Sequence, residues 1–145
     1  MISFIAGDSE DDNGKFVGRF WENSTGIKLS APYSVIGIVK NTKLEGMVLF
    51  DDYTYSSIEV HYSGNKCLSR SVIRYVLGYV FNQLNCNVLR IRPHSRNEES
   101  IDLVKRLGFE YEGILDKYYS LDDHGVMYKM YREQANKWIK LNGRT

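Results

Sequence analysis

The chain has 145 residues, with 19 Lys and Arg against 18 Asp and Glu, a formal net charge of +1, 43% hydrophobic residues and 26% charged ones. These proportions fit one globular domain spanning 1–145 with its own core, and exclude a disordered or fibrous chain. They also remove the strong positive field that non-specific binding to nucleic acid or a membrane surface needs.

Residues 2–6 read as a short strand. The start carries no basic segment and only a brief apolar run, so no secretion signal is expected, and no stretch approaches the roughly 20 apolar residues of a membrane span. An acidic run, Asp8-Ser9-Glu10-Asp11-Asp12, opens a weakly helical segment that includes Phe16, Val17, Phe20 and Trp21. Two β-branched, apolar runs follow at 33–40 and 46–50, with Asn41-Thr42-Lys43 as the turn between them. Ile58, Val60 and Tyr62 then alternate with Glu59 and His61, a third strand with one apolar and one polar face.

The strongest periodic signal comes next: Val72, Ile73, Val76, Leu77, Val80, Phe81 and Leu84 form the core-facing stripe of a helix. Residues 88–92 make a strand closed by Pro93, which cannot donate to a continuing ladder. A second long helix begins near Asn97, with Ser95 and Glu98 at capping-box spacing, and stops at Gly108. Strands near 109–119 and 125–132 close the order, joined by the turn-forming cluster Asp122-Asp123-His124-Gly125, and the tail with Trp138, Ile139 and Leu141 reads as a short docked helix. Strand, helix, three strands, helix, strand, helix, two strands is an α+β order.

Local words sharpen that order. Asn97-Glu98-Glu99-Ser100, then Leu107-Gly108-Phe109, Glu112-Gly113 and Tyr118-Tyr119 resemble the N-x-x-[SA] … LGF … EG … YY pattern of the GCN5-related N-acetyltransferase (GNAT) superfamily. Tyr128-Lys129-Met130-Tyr131-Arg132-Glu133 with nearby Trp138 is similar to short GNAT-like proteins of tailed bacteriophages. The resemblance implies a GNAT-type, mostly antiparallel sheet of six to seven strands flanked by helices. It also implies acetyl-CoA as co-substrate, an amine acceptor and no metal.

Acetyl transfer needs a cradle for an anionic cofactor, a donor for the carbonyl oxygen, a base for the amine and a proton for the leaving thiolate. By resemblance, pantetheine lies like an added strand beside Val60, His61 and Tyr62, whose backbone supplies the oxyanion donor. Gly64, Lys66, Ser69 and Arg70, with Arg74, would hold the phosphates at the mouth of the first long helix. Asn97 and Ser100 would reach the coenzyme from the second, although Asn97 serves equally as a plain N-cap. Glu59 and His61 are the candidate bases, Glu59 slightly favoured by analogy with the family's carboxylates. Tyr118 and Tyr119 are the candidate proton donors; as neighbours on a strand they should point to opposite sides, so that only one serves.

Two departures from the pattern stand out. The loop 63–71 holds one glycine and no G-x-G, and Val104 replaces the tyrosine of L-Y-x-x-x-G-F. They motivate a second reading, a non-catalytic GNAT-fold scaffold that binds a host or virion protein. A third, RNA or single-strand binding through Arg90, Arg92, Arg96 and exposed tyrosines, has no RNP-type word behind it. His61, His94 and His124 show no metal-ligand spacing, so no metal site is expected. Cys67 and Cys86 suit neither a disulfide framework nor a redox motif, so reduced thiols in a cytoplasm are expected. The acceptor expected is a small amine, a protein N-terminus or a lysine, the acidic run Asp8 to Asp12 being suited to attract a cation. Pairing of two copies is a further expectation.

Overall fold

A computed structural model describes residues 1–64 and 68–143. The elements run β1 (Ile2–Asp8), α1 (Asp12–Thr25), β2 (Ser34–Lys40), β3 (Lys43–Asp51), β4 (Ser57–Gly64), α2 (Arg70–Gly78) continued by a π-helical turn (Tyr79–Gln83), β5 (Val88–Ile91), α3 (Glu98–Leu107), β6 (Glu110–Ser120), β7 (Asp123–Tyr131) and a 3-10 helix (Arg132–Lys137). The strands form a seven-stranded sheet of order β1-β2-β3-β4-β5-β7-β6. Four pairs with described register, β1/β2, β2/β3, β5/β7 and β6/β7, are antiparallel. The fold is the expected α+β sheet flanked by helices. No helix among the described residues is long and apolar enough to cross a membrane.

Two compact units divide the chain, Met1–Tyr53 with Val60–Val76, and Thr54–Glu59 with Leu77–Thr145. In the first, β2 is buried along Val35, Ile36, Gly37 and Ile38, which is why it reads as a continuous apolar run rather than an alternating one. Val17 of α1 packs with Val35, Met47 and Leu49, bordered by Ile5, Phe20, Trp21, Leu29 and Tyr33. The weakly helical segment is thus a full helix of 14 residues, started by the Asp11 carboxylate accepting from Gly14 N–H at 2.6 Å. Burial of one stripe overrides its modest propensity. The first hairpin turns on Asn41 and Thr42 alone, both in the left-handed region, so Lys43 already belongs to β3.

In the second unit Leu77, Val80, Phe81, Leu89, Val104, Met130 and Ala135 are buried. The α2 stripe is legible, but its last turn widens to π geometry, where Leu84 N–H reaches Tyr79 O at 2.8 Å. The expected docked tail helix lies earlier than Trp138. Arg132–Lys137 forms the 3-10 helix, and Trp138 follows it, donating Nε1–H to Leu107 O at 2.9 Å. The last hairpin also differs: Ser120 pairs with Asp123, so the turn is Leu121-Asp122, and Asp123, His124 and Gly125 lie within β7. Gly125 is needed for clearance, since a Cβ there would meet Arg92 Cδ at 2.9 Å and Tyr118 Cβ at 3.3 Å. Val104 is a core residue, 2% exposed.

Candidate functional site

In the first unit, alternation along β4 puts His61 and Ser63 on one face and Val60 and Tyr62 on the other. Ser63 Oγ lies 2.8 Å from Ser24 Oγ of α1, and the His61 ring meets Trp21 of α1 edge-on, centroids 6.1 Å apart. His61 Nε2 is 2.8 Å from Asp51 Oδ1 at the end of β3, with the imidazole 19% exposed. An ionised carboxylate there favours the Nε2–H tautomer and leaves the lone pair on Nδ1. The imidazole is thereby held in one orientation with Nδ1 able to accept a proton, beside an Asp51 side chain that is 42% exposed. Trp21 Nε1 beside it is buried without an acceptor among the described residues. Sequence reasoning missed Asp51, which stands ten positions from His61 on another strand; nothing local marks it.

The cofactor candidates of this unit divide. Val60 is buried, and Tyr62 is half-buried beyond it. Gly64 has φ +129°, and a Cβ there would collide with Gly46 Cα, so its glycine is required by the approach of β3 whether or not a phosphate lies near. Ser69 caps α2: its Oγ accepts from Val72 N–H at 3.3 Å and its carbonyl from Ile73 N–H at 3.0 Å. One of the first-turn donors expected to hold phosphate is therefore occupied by the protein itself. Arg70 and Arg74 are exposed on that helix. Lys66 and Cys67 lie outside the described residues.

The second unit gathers Glu59, Tyr118 and Tyr119 around a residue that sequence reasoning weighed only for RNA, Arg92. Its Nη1 donates to Glu59 Oε1, and Nε donates to Tyr119 Oη at 3.2 Å. The side chains of Arg92 and Glu59 are 12% and 8% exposed. Tyr119 in turn donates its hydroxyl to Arg92 O at 2.8 Å. Burial raises the Tyr119 phenol above its ordinary value, against the opposing pull of Arg92. Burial would lower the Arg92 guanidinium, but the Tyr119 hydrogen bond and the Glu59 charge more than offset it, and the net shift is upward.

Contrary to the alternation argument, Tyr118 and Tyr119 do not part company. The Arg92 Cζ lies 4.2 Å from the Tyr118 ring centroid and 5.9 Å from that of Tyr119, and the two rings meet edge to face at 5.0 Å. The cause is a bulge. Lys117 takes φ +55°, the β6/β7 register shifts between Leu115 and Ser120, and Lys117 N–H donates to His124 Nδ1 at 2.7 Å. Tyr119 has its hydroxyl doubly engaged, whereas the Tyr118 hydroxyl has no partner among the described residues and its ring is half exposed.

Beyond Tyr119 the His94 ring stacks on it at 3.5 Å, with Nδ1 2.5 Å from Asp123 Oδ2. The hydrogen bond from His94 lowers the Asp123 carboxyl. Asn97 caps α3, its side chain accepting from Ser100 N–H at 3.1 Å, and Gly108 ends the helix in the left-handed region. The cap role of Asn97 is thus met within the protein.

No protein-family model and no curated protein matches the sequence. Solved structures do share the fold. Mutant forms of the spermidine/spermine N-acetyltransferase SpeG from Vibrio cholerae superpose with a TM-score of 0.77 at 15% identity, over 97% of this chain and 100% of that one. The same enzyme in complex with manganese ions gives 0.76 at 16% identity, over 96% and 97%. A dodecameric structure of the Vibrio cholerae spermidine N-acetyltransferase gives 0.73 at 15% identity, over 92% and 95%. At such identities the likeness shows the fold alone, which is of GNAT type.

Proposed function

We propose that this protein is an acetyl-CoA-dependent N-acetyltransferase in which His61, oriented by Asp51, takes the proton of an amine that attacks the thioester directly. The observation that carries this reading is the 2.8 Å contact between His61 Nε2 and Asp51 Oδ1 on the face of β4 that meets α1. An ammonium is not a nucleophile until it loses a proton, and an imidazole with its lone pair on Nδ1 can accept one. As the amine nitrogen bonds to the carbonyl carbon, the carbon–sulfur bond breaks and the departing thiolate takes a proton. Tyr118 is assigned that proton because its hydroxyl is uncommitted, whereas that of Tyr119 is held twice by Arg92.

The base is thus assigned to His61 rather than Glu59, whose carboxylate is committed to Arg92. Val60 and Tyr62 are the backbone partners assigned to the pantetheine, with Ser69, Arg70 and the start of α2 for the phosphates and Asn97 and Ser100 as secondary contacts. The acceptor is an amine-bearing small molecule or a protein amine. The neighbours' named substrates make spermidine and spermine the first to try, and the dodecameric neighbour supports testing for self-assembly.

The test is release of free thiol from acetyl-CoA in the presence of spermidine, a lysine peptide or a free N-terminal peptide, with the acetylated product identified by mass. His61→Gln should lower turnover by about 10²- to 10⁴-fold. An unchanged rate would remove His61 as the base. The scaffold reading is favoured by one observation, the Ser69 cap on an N–H that phosphate would use. Calorimetric titration with acetyl-CoA separates the two: no heat at high micromolar cofactor, with the protein folded, defeats the enzyme.

A further inference from the structure

We infer that Arg92 is a positioning residue for Tyr118: clamped by Glu59 and Tyr119, its guanidinium is the platform that fixes the Tyr118 ring while leaving the hydroxyl available. This rests on the assignment of Tyr118 as the proton donor and adds how that donor is held. An arginine has five N–H donors in a rigid plane. Here Nη1 is taken by Glu59 and Nε by Tyr119, two ties that hold the guanidinium in one orientation. Its stem passes over Gly125, where any side chain would intrude on both Arg92 and Tyr118. The Lys117 bulge then brings the Tyr118 ring to 4.2 Å from Cζ, within cation–π range.

Each part is explained by the platform. Tyr119 spends its hydroxyl on Arg92 and is unsuited to donate elsewhere. Glu59 supplies the counter-charge without which a guanidinium would not remain in a position only 12% exposed. His94, stacked on the outer face of Tyr119 and tied to Asp123, closes the assembly on its far side. A half-exposed tyrosine ring would otherwise sample several rotamers, and proton transfer demands that its oxygen stay within hydrogen-bond reach of sulfur.

Two measurements test this. In turnover, Arg92→Gln and Tyr118→Phe should each lower kcat, the former by up to about 10²-fold, with KM for the amine nearly unchanged, and the pair combined should cost no more than Tyr118→Phe alone. Independent losses that multiply would overturn the inference. Because Arg92→Gln strands the Glu59 charge, the combined Glu59→Gln and Arg92→Gln variant, which keeps a neutral hydrogen-bonded pair, is measured beside it and should show the same kcat loss while remaining folded. The second measurement needs no activity: with ring-¹³C tyrosine, the Tyr118 signal, assigned by its loss in Tyr118→Phe, should move toward that of a free tyrosine in the combined variant. An unmoved signal refutes the platform. If wild type transfers no acetyl group yet the signal moves, the enzyme reading fails while the platform stands.

Discussion

Arg90 and Arg92 stand two residues apart, at and just past the end of β5, and each pairs with a glutamate. Arg90 donates Nε–H and Nη2–H to the two oxygens of Glu112 at 2.7 and 3.1 Å, the side chains 34% and 27% exposed, with Lys129 Nζ 3.9 Å from the same carboxylate. Arg92 and Glu59 are far drier, and Tyr119 takes a further N–H. The same two residue types therefore serve different ends. Water screens the outer pair and makes it dispensable; its exclusion from the inner pair makes each partner necessary to the other.

The sharpest way to break this contrast is Arg92→Met, which leaves the Glu59 carboxylate buried and unpaired and should cost about 3–5 kcal/mol in denaturant unfolding. Replacing both, Glu59→Leu with Arg92→Met, should recover most of that loss, because two well-packed apolar side chains have no charge to desolvate. A double variant as unstable as the single would mean that packing, not charge, is what Arg92 contributes. Arg90→Met should cost at most about 1 kcal/mol and lose even that in high salt.

The smallest effect is one of pH. The hydrogen bond from Arg90, aided by the charges of Arg90 and Lys129, holds the Glu112 carboxyl below its ordinary 4.5 against the opposing effect of partial burial. A carboxyl with a lowered folded-state pKa contributes stability that is complete above its unfolded value and is lost as pH falls through its folded one. The stability gap between wild type and Arg90→Met should therefore shrink from about pH 4.5 downward. A gap independent of pH would contradict the assignment of that shift to Arg90.

Caps are legible in sequence because they act over three or four residues. Asn97 and Gly108 mark the ends of α3 as expected. The π-helical turn after α2 is not legible, since the apolar stripe that predicts the helix continues through it, and neither is the bulge at Lys117, whose N–H is held by His124 from the opposite strand. That bulge invalidates the simple alternation argument for Tyr118 and Tyr119. The polar face of β4 is visible in the sequence, but the partners that divide its roles are not: Asp51 and Arg92 lie ten and 33 positions from His61 and Glu59. One usable signal was present in Arg90-Ile91-Arg92, alternating arginines in a short apolar strand that require counter-charges.

The buried Arg132 donates to Phe81 O in the widened turn and to Asn142 O at 2.6 Å, while Asn82 holds Lys140 O and Asn142 N–H at 2.9 and 2.8 Å. Residues 139–142 are consequently part of the folded body rather than a dispensable appendage. An expression variant cut before residue 140 would strip a guanidinium, 5% exposed as a residue, of one acceptor and Asn82 of both its partners.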